Sequence, residues 1–431
     1  MSESDFVAIG GFVGLFALMA MRVPIGVAMG LVGIAGFAAI VGWRPALAQL
    51  ATSPIRTVTD YNLSLIPFFV LMGVLATNAG MSRELFRAGH AWFGRFRGGL
   101  ALSTISACAG FAAICGSSVA TAATMTKIAH PEMRRFGYSD ALSTGVIAAG
   151  GTLGILIPPS VVLAVYAFIT DQDVGRLFIA GVVPGGLAIL MYMATVRIAY
   201  RRHLPEGEPF SWAEAFASMR GVWAVLLLFI AIIGSIYLGL ATPTEASAVG
   251  ALLTGLIGIA RGRLGPRVLI DSLAEALRTS VAIYTILIGA VLFGYFLAVT
   301  QTPQKITAFL VGLDLGAHGT LAVILLFFLV MGCILDAMAM IILLVPIVFP
   351  VIQHLGFDPI WFGVIIVMTV ELGLITPPVG MNVFVINTIA RDVPLPTIFR
   401  GVFPFVLTDV VRLAILVAFP AIVLFLPRTM H

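Results

Sequence analysis

The chain has 431 residues, of which 60% are hydrophobic and 10% charged, with a formal net charge of +4 and a mean hydropathy of +1.10. Soluble domains carry about 25% charged residues, so this composition excludes a cytosolic enzyme, a nucleic-acid-binding protein and a disordered chain. Apolar runs of nearly 20 residues instead predict an all-α polytopic membrane protein in the lipid bilayer.

The predicted elements form two sets of six apolar segments, divided by a polar stretch at 198–220. Two amphipathic stretches that carry several arginines, 82–98 and 262–279, are predicted to lie along the membrane interface, where arginines reach lipid headgroups. The apolar segments are predicted at about 6–21, 24–42, 64–79, 100–130, 139–170, 175–197, 222–240, 243–260, 281–300, 319–352, 358–390 and 397–426.

The first apolar run begins at Phe6 without a basic region before it or a small-residue cleavage site after it. We therefore expect a retained helix rather than a signal peptide. The three cysteines all lie in apolar segments without a C-x-x-C motif, so we predict buried free thiols. They are Cys108, Cys115 and Cys333.

The two halves of the chain repeat one pattern at a constant offset. Pro24 and Pro243 are 219 positions apart, and the same offset relates Pro158-Pro159 to Pro377-Pro378. One pair of double prolines could coincide by chance, but a register held from residue 24 onwards predicts an internal duplication. We assign the first repeat to residues 1–219 and the second to 220–431.

The repeats are predicted to have inverted topology. If one segment in each half enters the membrane and returns on the same side, each half crosses five times, and an odd number inverts the second half. With both termini outside, 18 of the 24 basic residues then lie inside, in agreement with the positive-inside rule. The re-entrant helical hairpins are assigned to about 100–130 and 319–352, and the Pro-Pro-interrupted helices to about 139–170 and 358–390.

The interrupted helices are the first candidate for a binding site. Two adjacent prolines remove two backbone donors, and the freed carbonyl groups must face protein, water or a cation, because exposure to lipid is too costly. Interrupted helices in matching positions of two repeats are typical of a transporter binding site. A packing kink without any ligand is the alternative interpretation.

The hairpins carry small polar tips, and Ser117 of the first tip is equivalent to Asp336 of the second. Hydroxyl, carbonyl and carboxylate oxygens are hard donors that suit an alkali cation. Tight helix packing is the alternative role for the serines, whereas a carboxylate within the membrane is usually functional. We predict two symmetry-related cation sites with the substrate between them. The cation candidates are Gly116, Ser117, Gly151, Thr152, Gly332, Asp336, Gly373 and Thr376, and the substrate candidates are Ser118, Thr121, Ser160, Gly380 and Asn382.

The other charged residues of the apolar segments have simpler interpretations. Glu245 is expected to cap a helix, and Asp409 and Arg412 are expected to neutralise each other. Glu371 could bind a cation, carry a proton or hydrogen-bond to a hairpin.

No arginine is placed at mid-depth in the hairpins, so cations and helix dipoles are expected to neutralise an anionic substrate. Hydrolase and ATP-binding motifs are missing from the sequence, so transport must use an ion gradient or a partner.

These motifs resemble a known family. Gly239-x-Ala-Thr-Pro-Thr-Glu-Ala246, Thr376-Pro-Pro-Val-Gly380 and the Gly-Ser-Ser hairpin are similar to the large membrane subunit of TRAP transporters, the tripartite ATP-independent periplasmic transporters of bacteria and archaea. The resemblance covers essentially the whole chain. It implies a multi-pass protein of the cytoplasmic membrane that imports small organic acids by an elevator motion.

The resemblance further implies Na⁺ as the coupling ion and two protein partners. These are a small four-helix membrane subunit on a separate chain and a periplasmic substrate-binding protein. Two alternatives stay open from the sequence. One is a stand-alone sodium/organic-anion symporter that needs no binding protein. The other is a membrane enzyme or channel, for which Glu371 with Asp336 is the single candidate catalytic pair.

Overall fold

The computed structural model describes residues 3–201 and 204–430, and all regular structure in these ranges is helical. The predicted all-α membrane fold is therefore confirmed. Six of the described helices are long and apolar enough to cross a membrane, or eight if each of two bent helix pairs counts as one span. The helices of the first half are α1 (Glu3–Ala20), α2 (Ile25–Val41), α3 (Trp43–Thr59), α4 (Leu65–Asn78), α5 (Met81–Phe93), α6 (Gly99–Cys115), α7 (Ser118–Arg135), α8 (Asp140–Leu156), α9 (Val161–Thr170) and α10 (Val174–Ala199).

The second half repeats this order of helices. Ser118 and Ala337, which begin the second arms of the two hairpins, are 219 positions apart, as are Asp140 and Pro359, which begin the interrupted helices. Both hairpins and both interrupted helices are thus present as expected. The helices of the second half are α11 (Trp212–Tyr237), α12 (Pro243–Ala260), α13 (Pro266–Val299), α14 (Thr302–Gly312), α15 (Gly316–Gly332), α16 (Ala337–His354), α17 (Pro359–Ile375), α18 (Met381–Ile389), α19 (Leu395–Ala418) and α20 (Ala421–Arg428).

Several predicted boundaries are wrong. The stretch 262–279 does not form a separate interfacial helix, because α13 runs without interruption from Pro266 to Val299. The chain between these residues lacks an internal proline that would break the helix. The predicted run 397–426 is interrupted between α19 and α20, next to Pro420. Helices α3 and α14 were not expected, because both contain more polar residues than the spanning helices do.

Three features of the topology stay predictions. They are the direction of each repeat across the membrane, the total of ten membrane crossings, and the boundary between the repeats at residues 219 and 220. Arg202, one of the bases assigned to the inside, lies outside the described residues, as do the terminal residues Met1 and His431.

A scaffold group is formed by α1–α5 and α11–α14. Here α2 packs along α13, α4 packs on α12 and α13, and α11 packs on α12. Glycines allow this close packing: a Cβ atom on Gly26 would lie 2.6 Å from the carbonyl oxygen of Thr285, and one on Gly289 would overlap the backbone of Gly26. Small residues at such crossings let helix backbones touch, which is how helices associate in lipid.

A transport group is formed by α6–α10 and α15–α19. Within it the repeats interlock, because α7 of the first hairpin packs on α18 and α16 of the second hairpin packs on α9. Each hairpin therefore contacts the second half of the interrupted helix that belongs to the other repeat. We call this arrangement the crossed packing.

Replacing Gly401 with alanine is expected to destabilise the transport group. Helices α8 and α19 cross at Gly145 and Gly401, and a Cβ atom on Gly401 would overlap the backbone of Ala141, which cannot move aside as a side chain can. Overpacking of this kind costs roughly 1–3 kcal/mol. Thermal unfolding of the purified protein in detergent would measure the loss. The matched control is Gly186→Ala in α10, where a new Cβ meets nothing within 4 Å, and equal melting temperatures for the two variants would contradict the prediction.

Candidate functional site

The tip of the first hairpin is a tight turn between α6 and α7. Gly116 has a φ of +62°, and a Cβ atom there would lie 2.8 Å from the carbonyl oxygen of Pro159. Both the backbone conformation and the close contact require glycine. Ser117 then caps α7, since its Oγ accepts a hydrogen bond from the Ala120 N–H at 3.3 Å. The hairpin tip therefore lies directly on the first helix break.

The first break separates α8 from α9. Ser160 serves both ends of it: its hydroxyl donates to the Ile155 carbonyl at 2.5 Å and accepts from the Leu163 N–H at 3.2 Å. Gly154 leaves room for the hairpin, because a Cβ atom there would lie 2.5 Å from the Ser117 carbonyl oxygen. One serine hydroxyl thus satisfies both a carbonyl freed by the prolines and an orphan donor of the next helix.

The tip of the second hairpin is more exposed. Asp336 caps α16 by accepting from the N–H groups of Met338 and Ala339 at 3.0 and 3.1 Å, and its side chain stays accessible. Below the tip, Gly332 packs against Gly373 of the second interrupted helix, since a Cβ on Gly373 would lie 2.7 Å from the Gly332 Cα atom. The second hairpin therefore meets its break in the same manner as the first.

Asn382 joins the two repeats at this level. Its Nδ2 donates to the Ser118 hydroxyl oxygen at 2.6 Å, and its Oδ1 is buried without a hydrogen-bond partner among the described residues. Buried polar atoms are almost always paired, so an orphaned carbonyl oxygen calls for an explanation. Since Gly151 also lies beside this amide, the arrangement offers a hard oxygen donor between the first hairpin and the second broken helix.

These elements surround one cavity of about 630 Å³. Both hairpin tips line it, as does the first break, while the scaffold helices α4 and α13 close the opposite wall. The polar side chains of the wall come from both groups of helices. They are Thr77, Asn78, Ser117, Ser118, Thr124, Lys127, Glu275, Thr279 and Asp336.

Five polar side chains form a second, fully buried cluster in the transport group. Arg412 Nη2 lies 2.9 Å from Asp409 Oδ1 and 3.4 Å from Glu371 Oε2. The Tyr192 hydroxyl donates to Asp409 at 2.8 Å and lies 3.1 Å from Thr152 Oγ1. The predicted pairing of Asp409 with Arg412 is confirmed, and Glu371 contacts this arginine instead of a hairpin.

The base of the first hairpin is tied to the other repeat by an ion pair of Arg134. Arg134 at the end of α7 pairs with Asp140 at 2.5 Å and also with Asp392, in the loop after α18. The guanidinium group of Arg134 holds the pKa of the Asp392 carboxyl below its usual range. The crossed packing is thus reinforced by charge at the membrane surface.

Comparison with known proteins identifies the family. The model of the tripartite ATP-independent periplasmic transporter, DctM component, matches residues 12–422. The chain belongs to this family. It is similar to the C4-dicarboxylate TRAP transporter large permease protein DctM of Pseudomonas aeruginosa, with 40% identity over 92% of this chain and 93% of the relative. It is also similar to the sialic acid TRAP transporter large permease protein SiaM of Vibrio cholerae, with 30% identity over 97% and 98%.

The fold of this TRAP large permease is also found in a solved structure. The YdaH transporter of Alcanivorax borkumensis, whose crystal structure is described as having an unusual topology, superposes with a TM-score of 0.65 at 16% identity. The match covers 93% of this chain and 98% of that one. The protein is accordingly a transporter subunit of the cytoplasmic membrane and not an enzyme.

The structure brings together only part of the predicted site of the permease. Gly116, Ser117, Ser118 and Asp336 line the cavity, and Asn382 and Gly151 lie immediately behind Ser118. The assignment of individual residues to cation or substrate stays a prediction.

The remaining candidates hold the backbone in place. Thr121 donates to the Ser117 carbonyl at 2.8 Å, and Thr376 donates to the Leu372 carbonyl at 2.6 Å. Thr152 bonds to the Ala149 carbonyl at 2.7 Å, within the buried charged cluster. Gly380 supports the second break through its positive φ of +63°. The last three candidates also have structural contacts. The Ser160 hydroxyl bonds to the backbone on both sides of the first break, and Gly332 and Gly373 allow the second hairpin to pack closely on the second interrupted helix.

Sequence reasoning missed six polar residues of the cavity wall, which are Lys127, Thr124, Thr77, Asn78, Glu275 and Thr279. A signal for the first of them exists, because Ser117, Ala120, Thr124 and Lys127 follow helical spacing along one face of α7. Lys127 places a cation on the cavity wall, where none of the described arginines lies, and the expectation that bound cations and helix dipoles neutralise the substrate stays a prediction. Glu275 and Thr279 carry no such signal, because they reach the cavity wall only when α13 is one continuous helix.

Proposed function

We propose that this permease is the transport subunit of a sodium-coupled, binding-protein-dependent importer of small organic acids. The observation that supports it best is the convergence of both hairpin tips and the first helix break on one cavity. Interrupted helices of two repeats meeting near mid-membrane are typical of ion-coupled transport.

Sodium would bind where each hairpin tip meets a break. At the first position, the donors are backbone carbonyl groups near Ser117 and the unpaired Oδ1 of Asn382. At the second, they are Asp336 and the backbone around Gly332 and Gly373. All are hard oxygen donors, and the described residues contain no group of three His, Cys, Asp or Glu side chains that could hold a metal. This donor set suits an alkali cation better than a transition metal.

The substrate would lie between the two ions. A cavity of about 630 Å³ falls in the usual range for small-molecule sites. Two relatives are named for C4-dicarboxylates and for sialic acid, which supports a dicarboxylate or sugar acid as the substrate class. Bound sodium would offset the charge of such an anion, so that the loaded group could cross a barrier of low dielectric constant.

The two groups of helices support an elevator motion. The crossed packing makes the transport group one body, while the contacts of α2, α4, α12 and α13 make the scaffold another. We propose that the first slides against the second with ions and substrate bound. The family name further supports a periplasmic binding protein and a small membrane subunit as partners.

The test is uptake of radiolabelled succinate and sialic acid by proteoliposomes that contain this chain and its small subunit. Uptake that needs both a sodium gradient and the cognate binding protein would support the proposal. Sodium-driven uptake without the binding protein would identify a stand-alone symporter. Uptake that is indifferent to sodium would refute the coupling, and vesicles containing the small subunit alone provide the background.

A further inference from the structure

The hairpin cavity continues into a second depression of about 610 Å³. Four residues, Thr77, Asn78, Thr124 and Lys127, line both. We call the second depression the vestibule; its wall also includes Arg83, Arg87 and Arg263. By contrast, the depression around Asp60 and Asp171, lined by α9 and the start of α12, shares no lining residue with the cavity.

The vestibule carries unpaired positive charge. Arg263 is paired with Glu84 at 2.8 Å, but Lys127, Arg83 and Arg87 take part in none of the ion pairs of the described residues. All three of these side chains are exposed. They belong to two elements, α7 and α5, that face each other across the opening.

The charge changes sign along this route. The hairpin cavity contains the carboxylates of Glu275 and Asp336, whereas the vestibule contains three free cations. Lys127 stands at the junction, roughly 15 Å along α7 from Ser117 at 1.5 Å per residue. If these cations lie on the cytoplasmic side, as the positive-inside rule predicts, the cavity opens towards the cytoplasm.

We propose that Lys127 is the counter-charge that receives the substrate carboxylate as it leaves the hairpin cavity, and that Arg83 and Arg87 continue this release route. The proposal rests on the proposed function. Once sodium has left, the anion shares the cavity with two carboxylates and is repelled from it. A cation at the exit then supplies an attractive site for the departing anion, and added salt weakens this attraction because the screening length is about 8 Å at physiological ionic strength.

Headgroup phosphates of anionic lipids have the same chemistry and could also bind Arg83 and Arg87. Lys127 argues for the substrate, because its side chain lines the hairpin cavity as well as the vestibule. The lipid composition of the vesicles distinguishes a lipid phosphate from a substrate carboxylate as the bound group. A lipid role requires anionic headgroups, whereas a substrate role persists in vesicles of pure phosphatidylcholine.

The test compares Lys127→Met with Lys127→Arg and with Arg135→Gln. Arg135 lies on the same helix but its side chain is 77% exposed and pairs with Glu132. Exchange of succinate or sialic acid is measured in phosphatidylcholine vesicles as a function of internal substrate, with binding protein added outside so that natively oriented molecules respond. We expect Lys127→Met to raise the internal half-saturation concentration about tenfold or more, and the other two variants to leave it within about twofold.

Added internal salt should raise the half-saturation concentration of the unmodified protein and change that of Lys127→Met much less. The double variant Arg83→Gln/Arg87→Gln should show a smaller increase in the same direction. An unchanged half-saturation concentration in Lys127→Met would overturn the proposal, as would an Arg83/Arg87 effect confined to vesicles with phosphatidylglycerol. Failure of the unmodified protein to transport either acid would instead reject the proposed function on which it rests.

Discussion

Replacing Asn382 with leucine is expected to reduce sodium-dependent uptake by about 30-fold or more. The leucine has nearly the same volume, but it removes the donor to Ser118, which lies 2.6 Å away, and the unpaired Oδ1. Loss of a buried hydrogen-bond partner costs about 1–3 kcal/mol, and loss of a charge-assisted contact to a cation costs more. The measurement is the initial rate of uptake at several sodium concentrations.

Two variants keep this prediction specific. Asn387 lies about 1.4 turns further along α18 and away from the cavity. The variant Asn387→Leu also loses a hydrogen bond, from Nδ2 to the Val393 carbonyl at 2.8 Å. It should retain uptake and sodium affinity. Asn382→Asp keeps an oxygen at the orphaned position and should retain sodium binding better than the leucine variant. Equal uptake by the two leucine variants would show that Asn382 has no role in ion binding.

Arg412→Met is expected to lower the free energy of unfolding by about 3–5 kcal/mol, the usual cost of removing one partner from a buried ion pair. The arginine is completely buried and is the single cation next to Glu371 and Asp409 in the described structure. Its removal leaves two carboxylates without a counter-charge inside the transport group. Thermal unfolding in detergent, followed by intrinsic fluorescence, would measure the loss.

A compensated variant tests the physical reason. In Glu371→Gln/Asp409→Asn/Arg412→Met all formal charge is removed, so most of the stability should return even though the hydrogen bonds differ. The single change Arg400→Gln, at an exposed position of the same helix, should have a negligible effect. If the triple variant were as unstable as Arg412→Met, the loss of stability would come from altered side-chain packing and not from the two unpaired carboxylates.

Much of the fold could be predicted from the sequence because the duplication is preserved in its prolines and glycines. Double prolines interrupt a helix when they fall in its interior, so the breaks after α8 and α17 follow directly from Pro158-Pro159 and Pro377-Pro378. The hairpins were predictable for a similar reason, since short polar tips interrupt long apolar runs. Helix α3 was missed because it is amphipathic and carries Pro54 within it.

The site was less predictable, because its members meet through tertiary contacts. The neighbours Ser117 and Ser118 could be placed at a tip, but nothing in the sequence shows that Ser118 contacts Asn382 from the other repeat. Glu275 was missed because carboxylates in an amphipathic stretch, here Asp271 and Glu275, are typical of a solvated face. Its position in the cavity depends on α13 being continuous where the first repeat has two helices, α3 and α4, bent by 60°.

The crossed packing has a consequence for how this protein arose. Each hairpin packs on a helix from the other half, as in the contact between Ser118 and Asn382, so a half-length ancestor could not have completed the packing of its hairpin within a single chain. It would have needed a second copy of itself in the membrane. After the two copies were joined, residues on opposite sides of these contacts could change only together, while the rest of each half was free to diverge.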